Sequence, residues 1–156
     1  MSGRAMRPSH SRASPCLSVI IATWNGKSLL DTCLSSLRAQ AYPDLQIIVV
    51  DNGSSDGTAA FVQDRFGEVE LVKLPKNVGF SRANNLGIQH ARGQYIALLN
   101  NDAQPDTFWL RELVAALEAN LSVSALRRCC STTDRTWRTR VGISTPSRGP
   151  RGRSAT

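Results

Sequence analysis

Residues 98–110, LLNNDAQPDTFWL, carry an apolar run into the polar cluster Asn100, Asn101 and Asp102, then into a helix start marked by Pro105 and Asp106. A carboxylate at the tip of a buried parallel strand can hold a divalent cation against a diphosphate, because hard cations take oxygen ligands and share them with phosphates. Two earlier apolar runs end the same way. Thr23, Trp24 and Asn25 follow the first, and residues 51–58, DNGSSDGT, follow the second. Three polar strand ends in alternating order point to one nucleotide site.

The elements that must position these residues are legible from periodicity. Residues 16–23, CLSVIIAT, form a short β-branched run and read as a central strand. After the Asn25-Gly26 turn, Leu30, Cys33, Leu34 and Leu37 draw the apolar stripe of a helix over residues 27–40. Residues 45–50, LQIIVV, read as a second strand ending at Asp51. The Asn, Gly, Ser and Asp turn that follows can satisfy its own backbone and cap a helix over 58–66. A third strand spans 69–74, a helix 81–91, a fourth strand 94–99, and a last helix 106–119 turns Leu110, Leu113, Val114 and Leu117 inward.

Strands alternating with helices over short loops predict an α/β fold, a parallel sheet with helices on both faces. Right-handed crossovers favour the order 3-2-1-4 if the fourth strand returns beside the first. A crevice then opens between those two strands at their carboxyl ends, where such sheets bind ligands. Thr23, Asp51 and Asp102 would all lie along that edge.

A chain of 156 residues is the size of one domain. Its net charge of +7 is unevenly spread: residues 1–15 carry +3, residues 16–121 carry −3 with 8 basic and 11 acidic groups, and residues 122–156 carry +7. The basic groups therefore lie where periodicity fails, which reads as solvated tails and not as an ordered nucleic-acid surface. A tail that did bind nucleic acid would show steep salt dependence. Cys16, Cys33, Cys129 and Cys130 lack metal spacing and predict neither a zinc site nor a disulfide framework. No apolar run reaches transmembrane length, and residues 1–15 lack the apolar centre of a secretory signal, so they read as a disordered leader. After Asn120 the alphabet changes: 20 of the 35 residues from 122 to 156 are Arg, Ser or Thr, and Trp137 has no readable role. We expect that tail to be disordered or the product of a frameshift.

The stretches LSVIIATWNGKSLLDTCLSSLRAQAYPDLQIIVVDNGSSDGT, LPKNVGFSRANNLGI and GQYIALLNNDAQPDTFWL resemble, in order, a family 2 glycosyltransferase of GT-A fold, in the rhamnosyltransferase-like branch. The resemblance covers residues 17–120. It implies that residues 16–121 are the Rossmann-like nucleotide-sugar-binding half of a truncated GT-A domain. It also implies transfer of a sugar, such as rhamnose, from a dTDP- or UDP-sugar donor to a glycan or lipid-linked acceptor, with Mg or Mn as cofactor. The implied location is cytoplasmic, with peripheral association at the inner face of the membrane as an option.

On the same resemblance, Thr23, Trp24 and Asn25 line the nucleotide pocket, Asp51 contacts base or ribose, and Asp56 is the second acid of its loop. Asn77, Gly79 and Arg82 belong to the segment that closes over the nucleotide. Asn100, Asn101 and Asp102 stand for the DXD motif, with Asp102 as the metal-binding carboxylate. The general base belongs to the half of the family's domain that residues 16–121 do not match. We therefore expect the chain to be inactive, either a donor-binding fragment or an unstable one with an uncovered edge at its fourth strand. Each residue also has a structural reading. Asp51 and Asp56 could hold turns, Asp106 is the better helix cap, Arg82, Asn84 and Asn85 could be a solvated face, His90 a cap or surface group, and Phe108 and Trp109 could pack on the sheet.

Overall fold

The computed structural model describes residues 16–119, 126–128 and 137–138. The chain runs β1 (Leu17–Thr23), α1 (Lys27–Arg38), β2 (Leu45–Asp51), α2 (Thr58–Arg65), β3 (Glu70–Lys73), α3 (Phe80–His90), β4 (Tyr95–Leu98) and α4 (Trp109–Glu118), followed by β5 (Leu126–Arg128) and β6 (Trp137–Arg138). The sheet order is β3-β2-β1-β4-β5-β6. Its first four strands are parallel in the expected 3-2-1-4 arrangement, with Thr23 opposite Asp51 and Asp51 opposite Lys73.

β1 is buried at every position because it has a strand on each side and helices above and below. Its period of two divides its side chains between two cores. Leu17, Val19 and Ile21 face α1, α2 and α4, meeting Leu30, Cys33, Leu34, Val62, Leu110 and Val114. Ile20 and Ala22 face α3 with Ile48, Val50 and Ile96. There α3 lies directly on the sheet: a side chain at Gly87 would collide with Ile20 and Val50. The helix connecting β3 to β4 thus crosses on the face opposite the other three, and the crossover direction reverses between β1 and β4.

The amino end of the sheet is closed by a polar network. Ser18 donates to Gln46 Oε1 (2.6 Å) and accepts from Gly93 N (2.9 Å), while Gln46 Nε2 donates to Glu70 (2.8 Å). Both Ser18 and Gln46 are buried, and these bonds offset the cost of removing them from water. His90 lies on the surface beside Glu70, at 3.1 Å. Cys16 and Cys33 are free thiols.

Four expectations change. The last helix begins at Trp109, not at 106, because Asp106 Oδ1 accepts from Phe108 N (3.0 Å) and builds a turn ahead of it. Phe108 is exposed while Trp109 packs against the core. Asn84 is buried, and its amide donates to Phe80 O (3.0 Å) inside α3. The edge of β4 is not bare: β5 pairs with it antiparallel through Tyr95 and Ile96, and β6 pairs with β5 at Arg128 and Trp137. Ladder bonds are made by the main chain and need no side-chain period, which is why no pattern announced these strands. The disorder expected for residues 1–15 and for the rest of the tail, and the reading of Cys129 and Cys130, lie outside the described residues.

Candidate functional site

Parallel strands leave their last carbonyls and side chains at one rim, and here the loops fill it. Asn52 N donates to Thr23 O (2.8 Å) and Leu74 N to Asp51 O (2.8 Å), carrying the ladders past the strand ends. Asp51 is buried, and its Oδ1 accepts from Ser54 N (3.0 Å). Its other oxygen has no hydrogen-bond partner among the described residues. Asn25, in the left-handed region at φ 48°, donates its N–H to Ser54 Oγ (2.9 Å) and accepts from Ser55 N (2.8 Å). Asn25 therefore joins the loop after β1 to the loop after β2. Its neighbour Trp24 is 57% exposed and offers an aromatic face to solvent.

The Asn-Asn-Asp cluster reaches this rim from β4. Asn101 Nδ2 donates to Thr23 Oγ1 (2.9 Å), so the loop after β4 is tied to the end of β1. From the other side, the Cys33 thiol of α1 donates to Asn100 O (3.6 Å). Burial, and then the negative charge of Asp102, push that thiol up to about 11. It stays protonated at neutral pH and acts as a weak donor, not a nucleophile. Asn100 and Asp102 are themselves exposed.

Asp56 turns out to hold two helices. Its Oδ2 accepts from Lys27 N (3.2 Å), the first residue of α1, and its Oδ1 accepts from Thr58 N (3.0 Å), the first residue of α2. Helix N-termini carry unpaired N–H groups and a partial positive charge, so one carboxylate between two of them is well placed. The Thr58 hydroxyl bond, followed by the amides, lowers the Asp56 carboxyl below its ordinary 3.8. A depressed carboxyl stabilises the fold above its unfolded value, and that contribution disappears as pH falls through the lowered one. Asp56→Ala is expected to cost about 1 kcal/mol at neutral pH, kept small by exposure. In urea melts the gap from wild type should close as pH falls from the ordinary 3.8 through the lowered value; a gap that persists at the acid end would mean that the charge is not what holds the helices.

One residue that the sequence reading passed over organises the far side. Asn52 is buried; its Nδ2 donates to Asn77 Oδ1 (3.0 Å) and its Oδ1 accepts from Val78 N (2.9 Å). Asn77 also accepts from Gly79 N (2.9 Å). Gly53, at φ 77°, lets this loop lie against Lys76 and Asn77, where a side chain would meet backbone. A buried Asn directly after a strand-end Asp was the available signal. Gly79 has φ 87° and ψ 158°, a region essentially closed to other residues. Arg82 stands exposed on the first turn of α3 and forms no hydrogen bond or ion pair among the described residues.

The structure thus ties Thr23, Asp51, Asn52 and Asn101 together through strand register and hydrogen bonds, and attaches Asn25, Asn77 and Gly79 to them by loops. Trp24, Arg82 and Asp102 are exposed, and among the described residues their side chains form no hydrogen bond or ion pair. Among the described residues, no three of His, Cys, Asp and Glu gather as a metal cage. One exposed carboxylate suits a magnesium-like ion that brings its other ligands with it as phosphate and water. The family model described as "Glycosyl transferase family 2" matches residues 18–154. This chain belongs to that family.

Among family relatives, the glycosyltransferase AglE of Haloferax volcanii is 32% identical over 66% of this chain and 36% of its own length. The GalNAc(5)-diNAcBac-PP-undecaprenol β-1,3-glucosyltransferase of Campylobacter jejuni is 34% identical over 56% of this chain and 30% of its own. Among solved structures, the mannosyltransferase PcManGT from Pyrobaculum calidifontis, in complex with GDP-Man and Mn2+, superposes with a TM-score of 0.60 and 30% identity. That superposition covers 64% of this chain and 31% of the other. The α/β architecture is therefore that of the family. This chain spans about a third of the length of the curated relatives it matches.

Proposed function

We propose that this chain is the donor-binding half of a glycosyltransferase, holding a nucleoside diphosphate sugar at the carboxyl rim of β1, β2 and β4. The observation that supports it most is the 2.9 Å bond from Asn101 to Thr23, because Thr23 is also the register partner of Asp51. That bond draws the loop bearing Asp102 to the strand ends bearing Asp51. The free oxygen of Asp51 accepts from a ribose hydroxyl or a base N–H, and Trp24 offers its face to the base. Arg82 pairs with phosphate oxygens, for which a guanidinium is well shaped. Asp102 would hold Mg or Mn, which when bound would supply positive charge against the leaving diphosphate.

A complete transferase needs a base for the acceptor hydroxyl. Residues 16–121 offer no candidate on this reading, so the part of the reaction we assign to them is holding the donor. The acceptor class is a glycan or lipid-linked saccharide, in keeping with the name of the Campylobacter relative. The donor is a dTDP- or UDP-sugar, rhamnose being the sugar that the sequence resemblance suggests. No helix among the described residues is long and apolar enough to cross a membrane. The sequence resemblance suggests a cytoplasmic location, with a membrane-bound acceptor met at the inner face.

Calorimetry with UDP, dTDP and GDP, each with and without Mn2+, tests the reading. At least one nucleotide should bind, and Mn2+ should strengthen it. Absence of binding to all three in the presence of Mn2+ would overturn the assignment.

A further inference from the structure

A side chain at Gly26 would fall on both partners of the Asn101–Thr23 hydrogen bond: its Cβ would overlap Thr23 Oγ1 and Asn101 Nδ2. Gly26 is buried, precedes the first residue of α1, and has φ −113°, a value open to any residue. Its backbone conformation thus does not call for glycine. The clearance it leaves does. From this geometry we propose that Thr23, Gly26 and Asn101 form a latch that positions the Asp102 loop, with Thr23 and Asn101 serving as positioning residues and not as contacts to the nucleotide.

The inference rests on the donor-binding reading for its purpose, but its physical content is independent of it. β4 ends at Leu98, and Asp102 lies beyond its last ladder pair with β1, Ile20 and Leu98. After Leu99 N bonds Ile20 O (3.0 Å), the loop is held by Asn101 on Thr23, by the thiol on Asn100 O, and by its own Ala103 N to Asn100 O turn (3.1 Å). The thiol is a weak donor. The Asn101 amide is therefore the strongest tie between the loop and the strand that aligns Asp51. Thr23 is buried and carries the acceptor, whereas Asp102 is exposed one residue past the tie. Such an arrangement fixes the loop while leaving the carboxylate free to take a ligand.

Hydrogen–deuterium exchange of residues 99–103 reads the latch without any ligand. Thr23→Val keeps the shape and removes the acceptor, and should speed exchange there roughly tenfold. Thr23→Ser should restore the wild-type rate, and Gly26→Ala should reproduce the Val result from the other side. Unchanged exchange in Thr23→Val would overturn the latch. Nucleotide titrations then separate positioning from contact. In Thr23→Val the gain in affinity from Mn2+ should shrink while metal-free affinity is kept. Loss of metal-free affinity, with Thr23→Ser failing to recover it, would make Thr23 a nucleotide contact and overturn the proposal. A wild-type chain that binds no nucleotide overturns the donor reading alone, and the exchange result still decides the latch.

Discussion

Asp102→Ala should remove the Mn2+-dependent part of nucleotide affinity, a loss of about 100-fold where the wild type is tightened by metal. The reason is charge. Asp102 is the exposed carboxylate of the Asn-Asn-Asp loop, and the others at this rim are buried or already hydrogen-bonded. Asp51 is buried with one oxygen on Ser54 N, and both oxygens of Asp56 are on helix amides. A bound ion that loses Asp102 keeps only phosphate and water. Asp102→Asn is the sharper variant, since it preserves size and removes charge, and it should lose nearly as much. Metal-free affinity should be unaffected in both if, as proposed, ribose and base are read from β1 and β2. If Asp102→Asn still responds fully to Mn2+ in calorimetry, the ion is bound elsewhere.

Phe66→Ala should be among the most damaging substitutions for stability, at about 3–5 kcal/mol. Phe66 follows α2 and is essentially fully buried. It stacks edge-on against Phe61 at 5.9 Å between centroids, and the Arg38 guanidinium covers its ring at 4.6 Å. Arg38 is held there by Glu68 and by Arg65 O (3.0 Å). Truncation would open a cavity between α1 and α2 and strip the guanidinium of the face it covers. Against a typical total of about 5–15 kcal/mol, such a loss approaches unfolding. Urea titrations followed by circular dichroism check it. A midpoint within error of wild type would show that this junction contributes little, whereas Phe66→Leu should fall between the two.

Periodicity carried most of the fold. The apolar runs of β1 and β2 and the stripe of α1 are read directly, because burial on both faces or on one face leaves a repeating mark in the chain. Element ends were less legible. The start of α4 moved to Trp109 because the Asp106 side chain builds a turn that competes with the helix for the same amides. β5 was invisible, since two register pairs made by main chain alone impose no pattern on side chains.

At the site, residue types were legible but their partners were not. Asp56 and Asp51 look alike in DNGSSDGT, yet Asp56 is spent on Lys27 N and Thr58 N, while one Asp51 oxygen has no hydrogen-bond partner among the described residues. Asn52 was marked only by its place after a strand-end Asp, and nothing in the chain named Asn77 and Val78 as the groups it holds. By itself the sequence determined the alternation of strands and helices and the acidic and amide character of three strand ends, and hence the expectation of a rim for a phosphate-bearing ligand. Only the tertiary structure decided which of those groups face each other and which face solvent. Hydrogen bonds such as Asn101 to Thr23 span 78 positions of chain. Their geometry is set by sheet register and by the space at Gly26, neither of which any local pattern of residues encodes.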